Sequence, residues 1–188
     1  MGILLNEKLK EAQSHRKIVS LHTSASTFLG YILSINPDVM VVRTITRQGL
    51  LTGVRSIKME DLSRVDLDDR YVRLIEFKEH NPEIAFSQPA APEGLDDEYL
   101  TVAVLLRKAQ EAHHMVLLEL NSDSFYGYVE HLTDDELLLK VYTQYGEADG
   151  HTVLSIDSIC SVVWSDENTR TVDLLLRQNG PEGRAKLS

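Results

Sequence analysis

Phe28-Leu29-Gly30-Tyr31-Ile32-Leu33 returns 97 residues later as Phe125-Tyr126-Gly127-Tyr128-Val129-Glu130. Each stretch reads as a β-strand interrupted by one glycine, the residue that marks a positive φ or the close approach of another backbone. Working outward at the same spacing, residues 7–73 align with residues 104–170 without a gap. Fifteen of the 67 pairs are identical, against about four or five expected from ordinary residue usage. The first window contains only Gly30, Gly49 and Gly53, and the second only Gly127, Gly146 and Gly150. All three coincide, so the two halves are expected to share a chain path, and a repeat of this kind must be recognised before any fold is assigned.

Within each copy the element order is readable. Asn6–Arg16 carries an apolar stripe at Leu5, Leu9 and Ala12 with Asn6 as an N-cap, and Asp97–His113 carries Tyr99, Val102, Leu106 and Ala109 on one face. Both predict a short helix. Strands follow at Ile18–Thr23 and Met115–Leu120, then from Phe28 and Phe125. These second strands turn at Asn36-Pro37-Asp38 and Thr133-Asp134-Asp135, which have good turn chemistry. Third strands are expected over Val39–Arg47 and Glu136–Gln144, and a Gly-x-x-x-Gly loop returns each as a fourth. The spacings Ile57…Leu62…Val65 and Leu154…Ile159…Val162 surround polar pairs (Glu60-Asp61, Asp157-Ser158). They predict a 3₁₀ turn between the fourth strand and the fifth. A further apolar strand is expected at Tyr71–Phe77 and at Val172–Arg177, the second brought into register by a three-residue insertion. Residues 79–95, with Pro82, Pro89 and Pro92, read as a linker between a domain at 1–78 and a second at 96–188.

Composition bounds the function. With 43% hydrophobic and 26% charged residues the chain is of the soluble globular kind. The N-terminal apolar run of three residues is too short for a signal-peptide core, and a single cysteine fits a reducing compartment. The expected location is cytoplasmic, with no membrane association. The formal net charge of −10 falls entirely in residues 96–188. That acidity disfavours nucleic acid, while the neutral first half leaves it open.

The order of helix, five short strands, glycine-containing second strand, turn aspartate and 3₁₀ break resembles the Sm-like family of SH3-type small β-barrels. The likeness covers residues 5–67 and 102–164. Gly30-Tyr31-Ile32 and Gly127-Tyr128-Val129 sit where that family's first motif has its glycine and aliphatic residue, and Asp38 and Asp135 match its turn aspartate. The resemblance implies a mainly β (α+β) fold of two tandem SH3/Sm-like antiparallel barrels, each preceded by a short α-helix. It also implies where an RNA pocket would lie. There the family uses an Asn, which falls here on Val41 and Leu138, and an Arg-Gly pair, which falls on Lys58-Met59 and Ser155-Ile156. The pocket residues are not matched, and a shared fold does not transfer function.

No catalytic, cofactor-binding or metal-ligating constellation stands out, and no cofactor is expected. Cys160, in the apolar stretch Leu154–Trp164, reads as a small buried hydrophobe, since a nucleophile needs a base and an electropositive setting. His113-His114 lack ligand spacing, because neighbours on a helix diverge by about 100°. The acidic pairs Asp68-Asp69, Asp96-Asp97 and Asp134-Asp135 read as solvated turns. What remains is a candidate interaction surface in the first copy. Arg43 and Arg47 are expected on one strand face, with Arg55 and Lys58 nearby, and Leu50 and Leu51 at a hairpin tip. The expected function is non-enzymatic, an interaction or regulatory module with a protein partner or self-association. The alternative is RNA binding through the basic face of the first copy.

Overall fold

A computed structural model of the chain describes residues 3–86 and 100–179. The chain divides into two compact units, Met1–Phe86 and Ser87–Ser188. The first runs α1 (Ile3–Ser14), β1 (Ile18–Thr23), β2 (Thr27–Ile35), β3 (Val39–Ile45), β4 (Leu51–Lys58), a 3₁₀ turn (Met59–Asp61), β5 (Leu62–Leu67), α2 (Arg70–His80) and α3 (Glu83–Phe86). The second runs α4 (Val102–Glu111), β6 (Val116–Glu119), β7 (Ser124–Leu132), β8 (Glu136–Tyr142), β9 (Ala148–Ser155), a 3₁₀ turn (Ile156–Ser158), β10 (Ser161–Trp164) and α5 (Glu167–Asn179). Among the described residues the fold is mostly β: two five-stranded antiparallel sheets with five helices. The sheet orders are β4-β3-β2-β1-β5 and β10-β6-β7-β8-β9, the same order read from opposite ends. Neither ladder closes on itself, so β4 and β5, and likewise β9 and β10, are edges.

The duplication extends to irregularities that have no reason to coincide by accident. The β2–β3 ladder slips between Ile32 and Ser34, and the β7–β8 ladder between Val129 and His131. The next ladders slip at Arg43/Ile45 and at Lys140/Tyr142. At the first slip a carbonyl is freed from the ladder, and a helix side chain takes it up: the Gln13 Nε2 amide donates to the Leu33 carbonyl at 2.8 Å, and the Gln110 Nε2 amide to that of Glu130 at 2.8 Å. The glycines fall in like places too. A Cβ on Gly30 would lie 2.2 Å from the Arg43 carbonyl oxygen, and one on Gly127 2.5 Å from that of Lys140. Two strands approach so closely there that only glycine fits.

Each unit has three layers. In the first, Leu9 and Ala12 of α1 cover one sheet face, packing with Val19, Leu21, Ile32, Met40, Val42, Ile57 and Met59. The opposite face carries Ile18, Leu29 and Ile45 beneath Val72 and Ile75 of α2. Full burial of each such aliphatic side chain contributes about 1.5–3 kcal/mol. In the second unit Leu106 and Ala109 of α4 pack with Val116, Leu118, Val129, Leu137, Leu139, Val141 and Ile159. The face covered by α1 or α4 is the inner face below, and the face beneath α2 is the outer one.

Several expectations are corrected. The segments 71–77 and 172–177 are not strands but lie inside α2 and α5. Val72, Ile75 and Lys78 are buried, which is a three-residue spacing and therefore helical. Asp69 caps α2 by accepting from the Val72 amide at 2.7 Å, and Asp166 accepts from Thr169 at 2.8 Å. The caps are 97 residues apart, so no insertion intervenes. Asn6 lies inside α1 rather than at its cap, and α4 is capped by Thr101, whose Oγ1 accepts from Val104 at 3.3 Å. Of the expected linker, residues 79–86 finish α2 and form α3; residues 87–95 lie outside the described residues, as do Asp96-Asp97 and Tyr99. No helix among the described residues is long and apolar enough to cross a membrane.

Candidate functional site

The six residues expected to form one interaction surface are spread over β3, β4 and the turn between them, and register decides which face each takes. Residues directly opposed across a ladder share a face. Arg43 is opposed to Val54 and to Tyr31, which places it on the outer face. Arg55 is opposed to Val42, a core residue, so it leaves the inner face and lays its guanidinium over the Phe28 ring, 4.4 Å from the centroid. Lys58, opposed to Val39, lies on the outer face and pairs with Glu60 at 3.5 Å. Arg47 is not in a strand, because β3 ends at Ile45 and Arg47 sits in the turn. The shared strand face expected of Arg43 and Arg47 is therefore replaced by cations divided between two faces and a turn. Leu50 is half-buried, while Leu51 is 43% exposed. At that turn Gly49 has φ +79°, and a Cβ on it would meet the Glu79 amide at 2.5 Å; Gly146 has φ +71° and would meet Leu175 Cβ at 2.8 Å. Each hairpin turn is pressed against the helix that follows its sheet.

The arrangement that stands out is the edge itself. Every residue of β4 except Ile57 is exposed, and in β9 all are exposed but the half-buried Thr152 and Leu154. Val54 is 66% and Val153 62% exposed. Each strand is laddered on one side only, so alternate backbone N–H and C=O groups look away from the sheet, the arrangement to which another strand adds. The other two edges are less open. β10 is four residues long and half-buried throughout, and β5 exposes only Ser63 and Arg64. β4 is the more polar strand, with Thr52, Gly53, Arg55, Ser56 and Lys58 among its eight residues, but that it lies at an edge is settled only by pairing between distant segments.

A polar network on the outer face of the first unit also escaped the sequence. The His22 ring nitrogen Nε2 lies 2.7 Å from Asp66 Oδ2 and 3.2 Å from Ser20 Oγ, while Nδ1 lies 3.0 Å from Thr27 Oγ1. Arg64 Nε donates to the other Asp66 oxygen at 2.6 Å. This donation, joined by the bond from His22, holds the Asp66 carboxyl below its ordinary range against the opposing effect of burial. The set ties edge strand β5 to β1 and β2. Its counterparts in the second unit are Leu117, Glu119, Ser124, Ser161 and Val163, which cannot reproduce it. There the outer face holds an aromatic group instead: His113 stacks on Tyr128 with centroids 4.6 Å apart, and the Tyr128 hydroxyl donates to Asp173 at 2.5 Å. Burial, and then that bond, push the Tyr128 hydroxyl well above its ordinary pKa; Tyr31, which donates to Glu79 at 3.1 Å, behaves alike.

Surface cavities accompany the first unit. One of about 390 Å³ lies beside α1, lined by Lys8, Glu11, His15, Lys17, Leu67 and Asp68, and its charges are mutually paired: Lys8 with Glu11 at 2.6 Å, Lys17 with Asp68 at 3.9 Å. Another, of about 350 Å³, lies at Pro37, Asp38, Val39, Lys58, Met59 and Glu60. Among the described residues no three His, Cys, Asp or Glu side chains group so as to hold a metal ion. Cys160 is exposed, not buried as expected, with its thiol 3.3 Å from Asn121 Oδ1. It precedes β10, in a connection whose backbone leaves the apolar alternation.

A scan against protein-family models finds no match to this chain, and a search of curated proteins finds none either.

Proposed function

We propose that the chain is a non-enzymatic, cytoplasmic interaction or regulatory module that engages a protein partner by strand addition at β4 and β9. The observation that carries this reading is the openness of these two edges, each eight residues long and laddered on one side only. Main-chain hydrogen bonds supply affinity in such a contact, and alternate side chains supply selectivity. We further propose that each unit is a small SH3/Sm-like barrel. Its support is the strand order, the leading helix and the 3₁₀ turn between β4 and β5 and between β9 and β10; the unclosed ladders make it a proposal about curvature.

Hydrogen exchange tests the module reading. Amides of β4 or β9 in the full chain are expected to slow in an extract of the source cells or at high protein concentration. Unchanged exchange at both edges under every such condition would overturn it. RNA binding through the first unit is the competing reading, and the division of Arg43, Arg47, Arg55 and Lys58 over two faces and a turn weighs against it. Binding of mixed RNA that weakens steeply with salt and is lost in Arg43→Glu/Arg47→Glu would reinstate it.

A further inference from the structure

We infer that the partner of β4 is β9 of a second copy of this chain, the two edges pairing antiparallel; the inference rests on the strand-addition reading above. Three observations converge on it.

The first is facial register. In a continuous sheet opposed residues must share a face. Val54 opposes Arg43 on the outer face, and Val153 opposes Leu138 next to the outer-face pair Lys140–His151 at two-residue spacing. Setting Val54 against Val153 satisfies the rule along the regular part of both strands. Ser56 then meets His151 on the outer face, and Arg55 meets Thr152 on the inner face. The register also buries against each other the two most exposed aliphatic side chains of the two strands.

The second is charge. An antiparallel approach sets the Lys58 end of β4 beside Asp149 and Glu147 at the start of β9. It also sets the turn carrying Arg47 beside the 3₁₀ turn carrying Asp157. Glu60 and Asp61 follow β4, and Glu60 falls opposite Glu147 in this register; even so residues 47–61 carry a net charge of +1 and residues 144–158 a net charge of −3, so the two edges attract as wholes. Lys58 is available for this, since its pair with Glu60 is exposed and long at 3.5 Å, a kind that contributes little. Pairing β4 with another β4 would join two edges that are each net positive, without the attraction of unlike edges, and pairing β9 with β9 would set Asp149 opposite Asp157. Like charges opposed across strands are destabilising, so the unlike pairing wins.

The third is the state of the other edges. β5 and β10 are shorter and more shielded, which leaves β4 and β9 as the pair best able to meet.

The test uses the full-length chain in light scattering at rising concentration, with circular dichroism to confirm that each variant is folded. The native chain is expected to self-associate. Lys58→Glu/Arg55→Glu and, separately, Glu147→Lys/Asp149→Lys are each expected to weaken association by about ten-fold or more. Mixing the two variants should restore it, because each then offers an edge complementary to the other. A native chain that stays monomeric overturns the inference, as does association indifferent to both reversals or a mixture that stays monomeric. If the purified chain is monomeric while β4 or β9 is protected in extract, this inference fails and the strand-addition reading stands.

Discussion

The two units differ most where helix meets sheet on the outer face, and least where strand meets strand. Beneath α2 the first unit places Ile18, Leu29, Ile45, Val72 and Ile75; the corresponding positions in the second are Met115, Tyr126, Tyr142, Thr169 and Val172. An aliphatic layer has become an aromatic and hydroxylated one. Even the tyrosine that anchors the helix has changed partner: Tyr31 uses Glu79, whereas Tyr128 uses Asp173, which corresponds to Glu76 and lies almost one helical turn earlier. By contrast the ladder slips, the glutamine that caps the freed carbonyl and the strand-crossing glycine all agree. A helix–sheet contact asks for volume and a satisfied polar tip, which many residue sets supply. A backbone–backbone contact at 2.2–2.5 Å from a would-be Cβ admits one residue. The duplicated sequence has kept what geometry cannot replace.

The largest expected effect tests that equivalence directly. Gly30→Ala and Gly127→Ala should each destabilise their own unit by about 2–4 kcal/mol through overpacking, measured by chemical denaturation with hydrogen exchange to assign the unit. A cost in one unit only would break the symmetry.

Next in size, removal of the bulge tie by Gln13→Ala or Gln110→Ala should cost about 1 kcal/mol in each unit, since it leaves a carbonyl with one partner fewer. The glycine pair within β4 and β9 sharpens the comparison in the other direction. Neither Gly53 nor Gly150 would place a Cβ near any atom, but Gly150 has φ +87° and Gly53 has no positive φ. Gly150→Ala is expected to cost about 1 kcal/mol, and Gly53→Ala to be neutral or stabilising by a few tenths, roughly as unfolded-state entropy dictates. Equal effects would show that the two edge strands share a conformation after all.

A pH experiment separates the units by chemistry. The Asp66 carboxyl has a folded pKa below its ordinary value of 3.8. Its contribution is therefore fully present above the unfolded value and lost as pH falls through the folded one. The first unit should lose protection below about pH 4, and Asp66→Asn should flatten that dependence. The second unit, with Val163 in place of Asp66, should show no corresponding change in that variant. Smallest of all, Arg55→Ala should remove the stacking on Phe28 and cost about 0.5 kcal/mol at this exposed site; Thr152→Ala at the matching position should be near neutral.

How far the sequence reached follows the same division. The repeat, its offset, the helices before each sheet, the strand order along the chain and the 3₁₀ breaks were legible, because each leaves a local trace in glycine spacing, turn residues or apolar period. The segments 71–77 and 172–177 were misread because a short apolar run has no period of its own. Asp69 and Asp166, three residues before Val72 and Thr169, were the available signal, since a carboxylate so placed caps a helix. The exposure of Cys160 and the parting of Arg43 from Arg55 had no signal at all. The second depends on which neighbour lies across the ladder, and the first on where β10 begins, one residue after Cys160.

By itself, then, the amino-acid order determined that one structural plan occurs twice and where each copy bends, since bends are enforced by residues acting on their own backbone. Only the tertiary structure decided which strands are left at the edges, which side of the sheet each charge occupies, and that β4 and β9 stand open. Those are properties of hydrogen-bond register between distant segments, and a shift of one residue in that register would exchange every face.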